Sequence, residues 1–519
     1  MTLALFAAAI SSRHGFSVNR ATLKGDCRRE NFALGLKHLL MIGLSVTGNS
    51  ATAAIRTVIS MSLLSPALDS ERARALQPLN LSNDLVFDLA LFLLPIMGIF
   101  SFQVMGEVLL SDLAAPLLLA VAISVRGLPK TGIVYLLFAG AALWVLSLVA
   151  SDMVNNSKPH DYLRGWARNG LGCFYLAAVV CTLRPQLRSF AMVVAGLAVC
   201  LAVKALMGQR LRLDWFIKMG GGSALDWLLC IFTMYRFRQG RPLLPIILFV
   251  VLTALALAMN VRSNMAISFT VGFLCTAAFY GHRLFSRVTK PVLLVLLLAA
   301  GGVMAGGLAS IYSTLASTGA LGEGAEQKFE FQARGASNLA QVWNARPELR
   351  VALAVISDSP WLGHGSWYRD PRIAAAELLF SDYAAGATAF GGVTTGIVRS
   401  GGGEAMGHSI ILQSWVEAGI LGAAFWFAVL IICISAILGA LQKPNALSPV
   451  VFMAAVSLSW DAIFSPFAGI QRVTNMVELA IVLIAIGVSV RPHSNGVAES
   501  HFFPGRQRRP AVDRPRSNL

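Results

Sequence analysis

Charge is scarce in this 519-residue chain: 13% of residues are charged against 56% hydrophobic, and the mean hydropathy is +0.67. A soluble globular domain carries about 25% charged residues, so an ordinary water-exposed surface is excluded and a polytopic membrane protein is indicated. Acidic residues are the scarcer sign, 26 against 42 Lys and Arg, for a net charge of +16. No basic run is interleaved with aromatics on a soluble module, so the excess does not point to nucleic acid; in a membrane protein it marks loops on one side. Six of the seven cysteines (Cys173, Cys181, Cys200, Cys230, Cys275, Cys433) lie in apolar segments, which leaves neither a disulfide framework nor a cysteine metal site. There is no GxxxxGK[ST] and no dinucleotide fingerprint, and the triple glycines at 220–222 and 401–403 lack the strand and helix context of such loops. Met1–Ile10 is apolar but has no preceding charged region or cleavage site, so it is not read as a signal peptide.

What the chain does have is a series of apolar runs long enough to span a bilayer. They cover 86–104, 109–125, 131–150, 168–184, 188–207, 222–238, 243–260, 262–281, 290–311, 411–441, 447–465 and 473–490. The expected fold is an all-α polytopic membrane protein of about 12 transmembrane helices with one large, partly helical extracytoplasmic loop. Its expected organisation is a basic, largely unassigned N-terminal region (1–85), nine spans (86–312), the loop (313–408), three spans (409–490) and a basic tail (491–519).

Alternate connections differ in charge. One set carries Arg126 and Lys130, Arg184 and Arg188, Arg236, Arg238 and Arg241, Arg283, Arg287 and Lys290, then Lys443, and both basic termini join it. The positive-inside rule makes that set cytoplasmic. The end of the large loop at Gly407 is then extracytoplasmic, periplasmic where an outer membrane exists, and chemistry there needs a substrate activated beforehand. The opposite set nevertheless holds Lys158, Arg164, Arg168, Arg210, Arg212, Lys218, Arg262 and Arg472. Two readings stand for these: snorkelling to lipid headgroups, or an anionic ligand gripped by arginine forks. Arg262, in the tight turn AMNVRSNMA between two spans, is the strongest case for the second.

The loop has seven basic and nine acidic residues, so it is neither a polybasic arm nor an acidic tail. Within it, NARPELRVALAVISDSPWLGHG (344–365) predicts a helix with Pro347 in its first turn, an apolar face of Leu349, Ala352, Leu353, Val355 and Ile356, and a stop at Pro360 and Gly363. Arg346 stands at its start. The loop closes on GHSIILQSWVEAGILG (407–422), which opens a long apolar helix. Nine helical residues advance about 13 Å and turn about 180°, so Glu417 is expected deep and away from His408. It reads as an intramembrane carboxylate with a polar partner, and Gly419 and Gly422 as sites of close helix contact.

Arg346 with its apolar helix, Pro360 and Gly363-x-Gly365, then His408 and Glu417-x-Gly419-x-x-Gly422, resembles the O-antigen ligase and polymerase family of bacterial membrane glycosyltransferases. The likeness covers about residues 240–440, and Arg350 and Ser409 depart from its usual aromatic and asparagine. It implies transfer of a glycan from a polyprenyl-diphosphate carrier to a hydroxyl of a glycan or lipid A-core acceptor, without metal or other cofactor and with inversion. Arg262 and Arg346, extended by Arg210 and Arg212, would stabilise the leaving diphosphate. His408, whose ordinary pKa is about 6.5, would take the acceptor's proton. The competing classes are a secondary transporter or flippase of lipid-linked glycans, which intramembrane carboxylates also suit, and a membrane assembly scaffold.

Overall fold

Each of the twelve apolar stretches falls on a helix. The structure is a computed structural model describing residues 83–104, 107–129, 131–207, 213–322, 326, 329, 347–369 and 409–490. The basic N-terminal region below residue 83 and the tail beyond 490 lie outside the described residues, all of which belong to the unit Leu81–Leu519. In chain order come α1 (Asn83–Met97), strands β1 (Ser101–Gln103) and β2 (Glu107–Leu109), α2 (Leu110–Arg126), α3 (Gly132–Val154), α4 (Pro159–Thr182) and α5 (Leu187–Met207). A short turn of helix at Leu213–Phe216 runs through a π-helical segment, Ile217–Gly221, into α6 (Gly222–Arg238). Then come α7 (Leu243–Ala258), α8 (Arg262–Phe285), α9 (Lys290–Ser317), α10 (Pro347–Asp358), α11 (Ile410–Gln442), α12 (Ser448–Phe464) and α13 (Gly469–Val490).

Six of these helices are long and apolar enough to cross a membrane: α3, α5, α8, α9, α11 and α13, the last through Gly487. α7 and α12 are apolar but shorter. α4 is long, yet its first half carries Asp161, Arg164, Arg168 and Asn169. The first expected span ends early. Beyond Met97 the chain turns at Gly98 and pairs Ser101 with Leu109 and Gln103 with Glu107 in an antiparallel hairpin, because Gly98, Ser101 and Gln103 interrupt the apolar run.

Polar contacts order the two ends of the bundle. Asp84 of α1, Arg126 at the tail of α2 and Arg184 beyond α4 form ion pairs at one end, with Arg188 on Asp88 nearby. At the other end the heads of α2 and α4 meet α11 and α13. Between the ends, apolar faces pack α3 on α11, α11 on α12, α12 on α13, α13 on α4 and α8 on α12. Trp144 of α3 stacks on Phe425 of α11 at 5.0 Å, with Trp426 and Phe467 edge-on to it, so a four-ring cluster fixes the middle of α11.

Candidate functional site

α11 is two helices. Its apolar run continues without pause, but Gly419 has φ +65° and ψ −159°, outside helical space. A side chain is excluded there twice over, by that backbone and because a Cβ would strike the Trp361 carbonyl. The expectation of a continuous helix in which Gly419 serves close helix packing is therefore corrected: the glycine breaks the helix. Gly422 lies just past the break, packed on the Ser414 carbonyl across it.

A broken helix leaves carbonyls without their usual donors, and in a bundle interior these must be satisfied. The loop segment supplies the partners. His364 N donates to Val416 O at 2.7 Å, Gly365 N to Glu417 O at 3.1 Å, and Ser147 Oγ of α3 to Ala418 O at 2.7 Å. In return Ile420 N donates to Trp361 O at 3.3 Å. Gly363 lies so close to the break that a Cβ would press on the Glu417 carbonyl and Gly419 N. The Gly-x-Gly of the loop and the Glu-x-Gly of α11, 54 residues apart in sequence, thus form one interlocked piece.

α10 is held on the same piece. Ala352, Val355 and Ile356 bury against Val416, with Leu412, Trp415 and Tyr368 at the edge. Trp415 Nε1 donates to Pro360 O at 2.8 Å, and the His364 ring bonds Val355 O at 2.9 Å while stacking on Tyr368. Of the expected apolar face Leu353 is exposed, while Ala352, Val355 and Ile356 form the stripe buried against α11. The head of α11 is capped by Ser409, whose hydroxyl accepts from Leu412 N and donates to Ala462 O, both at 3.3 Å.

Beneath this piece lies a layer of buried charge. Glu417 is 2% exposed and pairs with Arg168 of α4, which is 7% exposed; Gln413 Nε2 reaches the other Glu417 oxygen at 3.4 Å. Arg472 of α13 pairs with Asp112 of α2, and its guanidinium also donates to the Arg168 carbonyl at 3.3 Å. Asp112 accepts from Leu109 N at 2.8 Å besides. Arg164 stacks on Trp367 at 3.9 Å. Asp152 of α3 ties down the chain beside it, accepting from Ser366 N at 2.6 Å, Ser366 Oγ at 2.7 Å and Trp166 Nε1 at 2.8 Å. Arg168 and Arg472 therefore each pair with a buried carboxylate of the bundle. Charge counting along the sequence misses this, because the partners lie in other helices.

Arg262 heads α8. Gln442, at the tail of α11, donates to Val288 O in the α8–α9 turn at 2.8 Å, so the head of α8 lies at the end where α11 begins. There Arg262 donates to the Tyr312 hydroxyl and sits 4.0 Å over its ring, and Tyr312 donates to Asn260 Oδ1 at 3.1 Å. His408, Arg346, Arg210 and Arg212 lie outside the described residues. His408 immediately precedes the Ser409 cap, and Arg346 immediately precedes α10. Among the other carboxylates in apolar segments, Asp226 accepts from Ser268 at 2.6 Å, and Asp461 accepts from Ser465 at 2.6 Å and from Gln471. Among the described residues no three of His, Cys, Asp and Glu converge on a point where a metal could sit.

The chain has no match among family models, among curated proteins or among solved structures.

Proposed function

We propose that this protein is a bacterial inner-membrane glycosyltransferase that moves a glycan from a polyprenyl-diphosphate carrier to a sugar hydroxyl on the periplasmic face, as an O-antigen ligase or as an O-antigen or exopolysaccharide polymerase does. In this reading all twelve helices outside the loop cross the membrane and both termini are cytoplasmic. One observation carries the proposal. The two stretches on which the family resemblance rests interlock through backbone hydrogen bonds at Gly363–Gly365 and Val416–Ile420. The helix after Arg346 and the helix after His408 are consequently packed against each other.

In the proposed reaction the acceptor hydroxyl attacks the anomeric carbon from the face opposite the diphosphate, and the bond from that carbon to the diphosphate oxygen breaks. His408 accepts the hydroxyl proton. Arg262 and Arg346, with Arg210 and Arg212, stabilise the charge that gathers on the leaving diphosphate. The glycosyl diphosphate is its own energy source, so no nucleotide is required on that face. The acceptor is either lipid A-core or another glycan. The test is purified protein in detergent, given a lipid-linked glycan and an acceptor with no ion gradient: transfer supports the enzyme, and none in a preparation that binds the donor defeats it. In cells, deletion separates the two enzyme types, single carrier-linked repeat units accumulating without a polymerase and full-length carrier-linked polymer without a ligase.

A flippase or secondary transporter is the second reading. It is favoured by the non-helical residues Gly220 and Gly419, since interrupted helices supply ion and substrate sites in such proteins. Against it, the carbonyls opened at Gly419 are already taken by the loop segment and by Ser147. Gradient-dependent movement of lipid-linked glycan in proteoliposomes, without glycosidic transfer, would establish it.

A further inference from the structure

Apolar side chains are exposed along the second half of α11, at Leu421, Phe427 and Ile431, and on the loop segment bonded at its break: Trp361 is 78% exposed and Leu353 of α10 is 42% exposed. Trp361 is the most exposed large aromatic side chain among the described residues. Its position along the bundle axis can be measured from helices other than its own. Its carbonyl accepts from Ile420 N, and the neighbouring Ala418 carbonyl accepts from Ser147 of α3. Ser147 stands fifteen residues beyond Gly132, the head of α3, which is about 22 Å at 1.5 Å per residue. Glu417 pairs with Arg168, fourteen residues before Thr182, the tail of α4, which is about 21 Å. The charged end of the bundle, with Arg126, Arg184 and Asp84, marks where these two helices leave the bilayer. A hydrocarbon core is about 30 Å thick, so the Gly419 level lies several ångströms inside its far boundary.

α10 leads down to that level. Ala352, Val355 and Ile356 pack with Leu412, Trp415 and Val416 of the first half of α11, Pro360 O is bonded by Trp415, and the chain then turns at Ser359–Leu362 and leaves past Asp152. Non-helical backbone at membrane depth requires its polar groups to be satisfied within the protein. Four of the turn's five carbonyls meet that condition. Pro360 O accepts from Trp415, Trp361 O from Ile420 N, and Gly363 O from both Asn155 at 3.2 Å and Ser359 Oγ at 3.0 Å, while Gly363 N donates to Ser359 O at 3.1 Å.

We infer that α10 and the turn Ser359–Gly363 are a re-entrant segment of the large loop, whose tip is immersed in the hydrocarbon of the leaflet where α11 begins, with the Trp361 ring in contact with lipid chains. The occupant of the exposed ring is the bilayer itself, because Trp361 lies at hydrocarbon depth and is bonded through its carbonyl to Ile420 of α11, next to the exposed Leu421. The inference rests on the bundle spanning a membrane and goes beyond the glycosyltransferase reading, so a failed transfer assay leaves it standing.

The experiment compares the full chain and Trp361→Phe, both in nanodiscs, and takes the difference of their tryptophan emissions as the signal of the Trp361 ring. Lipids brominated on their acyl chains should remove most of that difference signal, and iodide in the buffer should leave it nearly unchanged. The reverse pattern, quenching by iodide and not by bromolipid, overturns the inference, because it places the ring in water. Quenching by neither also overturns it, since a lipid-exposed indole cannot escape the brominated chains. Should the phenylalanine variant fail to fold, Trp361→Leu gives the same difference and the same readouts.

Discussion

Arg168 of α4 and Glu417 of α11, 249 residues apart, form an ion pair in the interior of the bundle. Removing one member strands the other, at a cost of about 3–5 kcal/mol. Glu417→Ala and Arg168→Ala should each lower the unfolding midpoint in detergent substantially. Replacing both by apolar residues of similar size, Arg168→Met with Glu417→Leu, should cost much less than the sum of the two. Additive losses would show that the pair does not act as a unit.

Gly419→Ala forces a side chain onto φ +65° and into the Trp361 carbonyl. The backbone alone accounts for about 1–3 kcal/mol, and the collision adds to it by prising the loop from α11. Gly439, in the same helix, has open space at its Cβ position. Gly439→Ala should be neutral or stabilising by up to about 1 kcal/mol. Thermal unfolding of the two variants side by side separates a required glycine from a tolerated one; equal midpoints would contradict the break.

These two sites show what the sequence discloses and what it hides. Apolar runs of 16 to 33 residues are legible because helix length and bilayer thickness leave little choice, and Pro347 and Pro360 bracket α10 as turn chemistry requires. The break at Gly419 is not legible, since apolar residues continue on both sides and the loop that fills it arrives from more than fifty positions upstream. Arg168 and Arg472 look like misplaced loop charges when charges are counted by side of the membrane. Only the fold brings Glu417 and Asp112 to them. Leu353 fits the apolar face of α10 by spacing, yet is exposed, because an apolar period does not reveal how much of that face a neighbouring element covers.

Asp152 accepts three hydrogen bonds, two of them from Ser366. Asp152→Asn keeps the shape but turns one acceptor into a donor facing donors, a penalty of about 1–3 kcal/mol. With the amide nitrogen turned toward Ser366 N, so that Trp166 of α4 keeps its acceptor, the strain falls on the returning loop segment and not on the bundle. Limited proteolysis should therefore cut between residues 313 and 408 faster in the variant, while the fragments from the apolar helices appear at an unchanged rate. Faster cleavage everywhere would mean that Asp152 supports the whole bundle.

Arg262 is held by Tyr312 through both hydroxyl and ring, and Tyr312 is itself anchored on Asn260. If Arg262 meets the leaving diphosphate, Arg262→Ala should lower kcat/KM for transfer by about 100- to 1000-fold, the usual effect of deleting one fixed donor to a developing anion. Tyr312→Phe removes only the hydroxyl, a net hydrogen bond of about 0.5–1.5 kcal/mol. The ring still backs the guanidinium, so the variant should bind the lipid-linked donor several-fold more weakly while kcat changes less. Steady-state transfer in detergent, with donor concentration varied, reads both numbers. The order matters more than the size: an unchanged Arg262→Ala enzyme takes the arginine out of the site, and a Tyr312→Phe enzyme worse than Arg262→Ala makes the tyrosine, and not the arginine, the group that meets substrate.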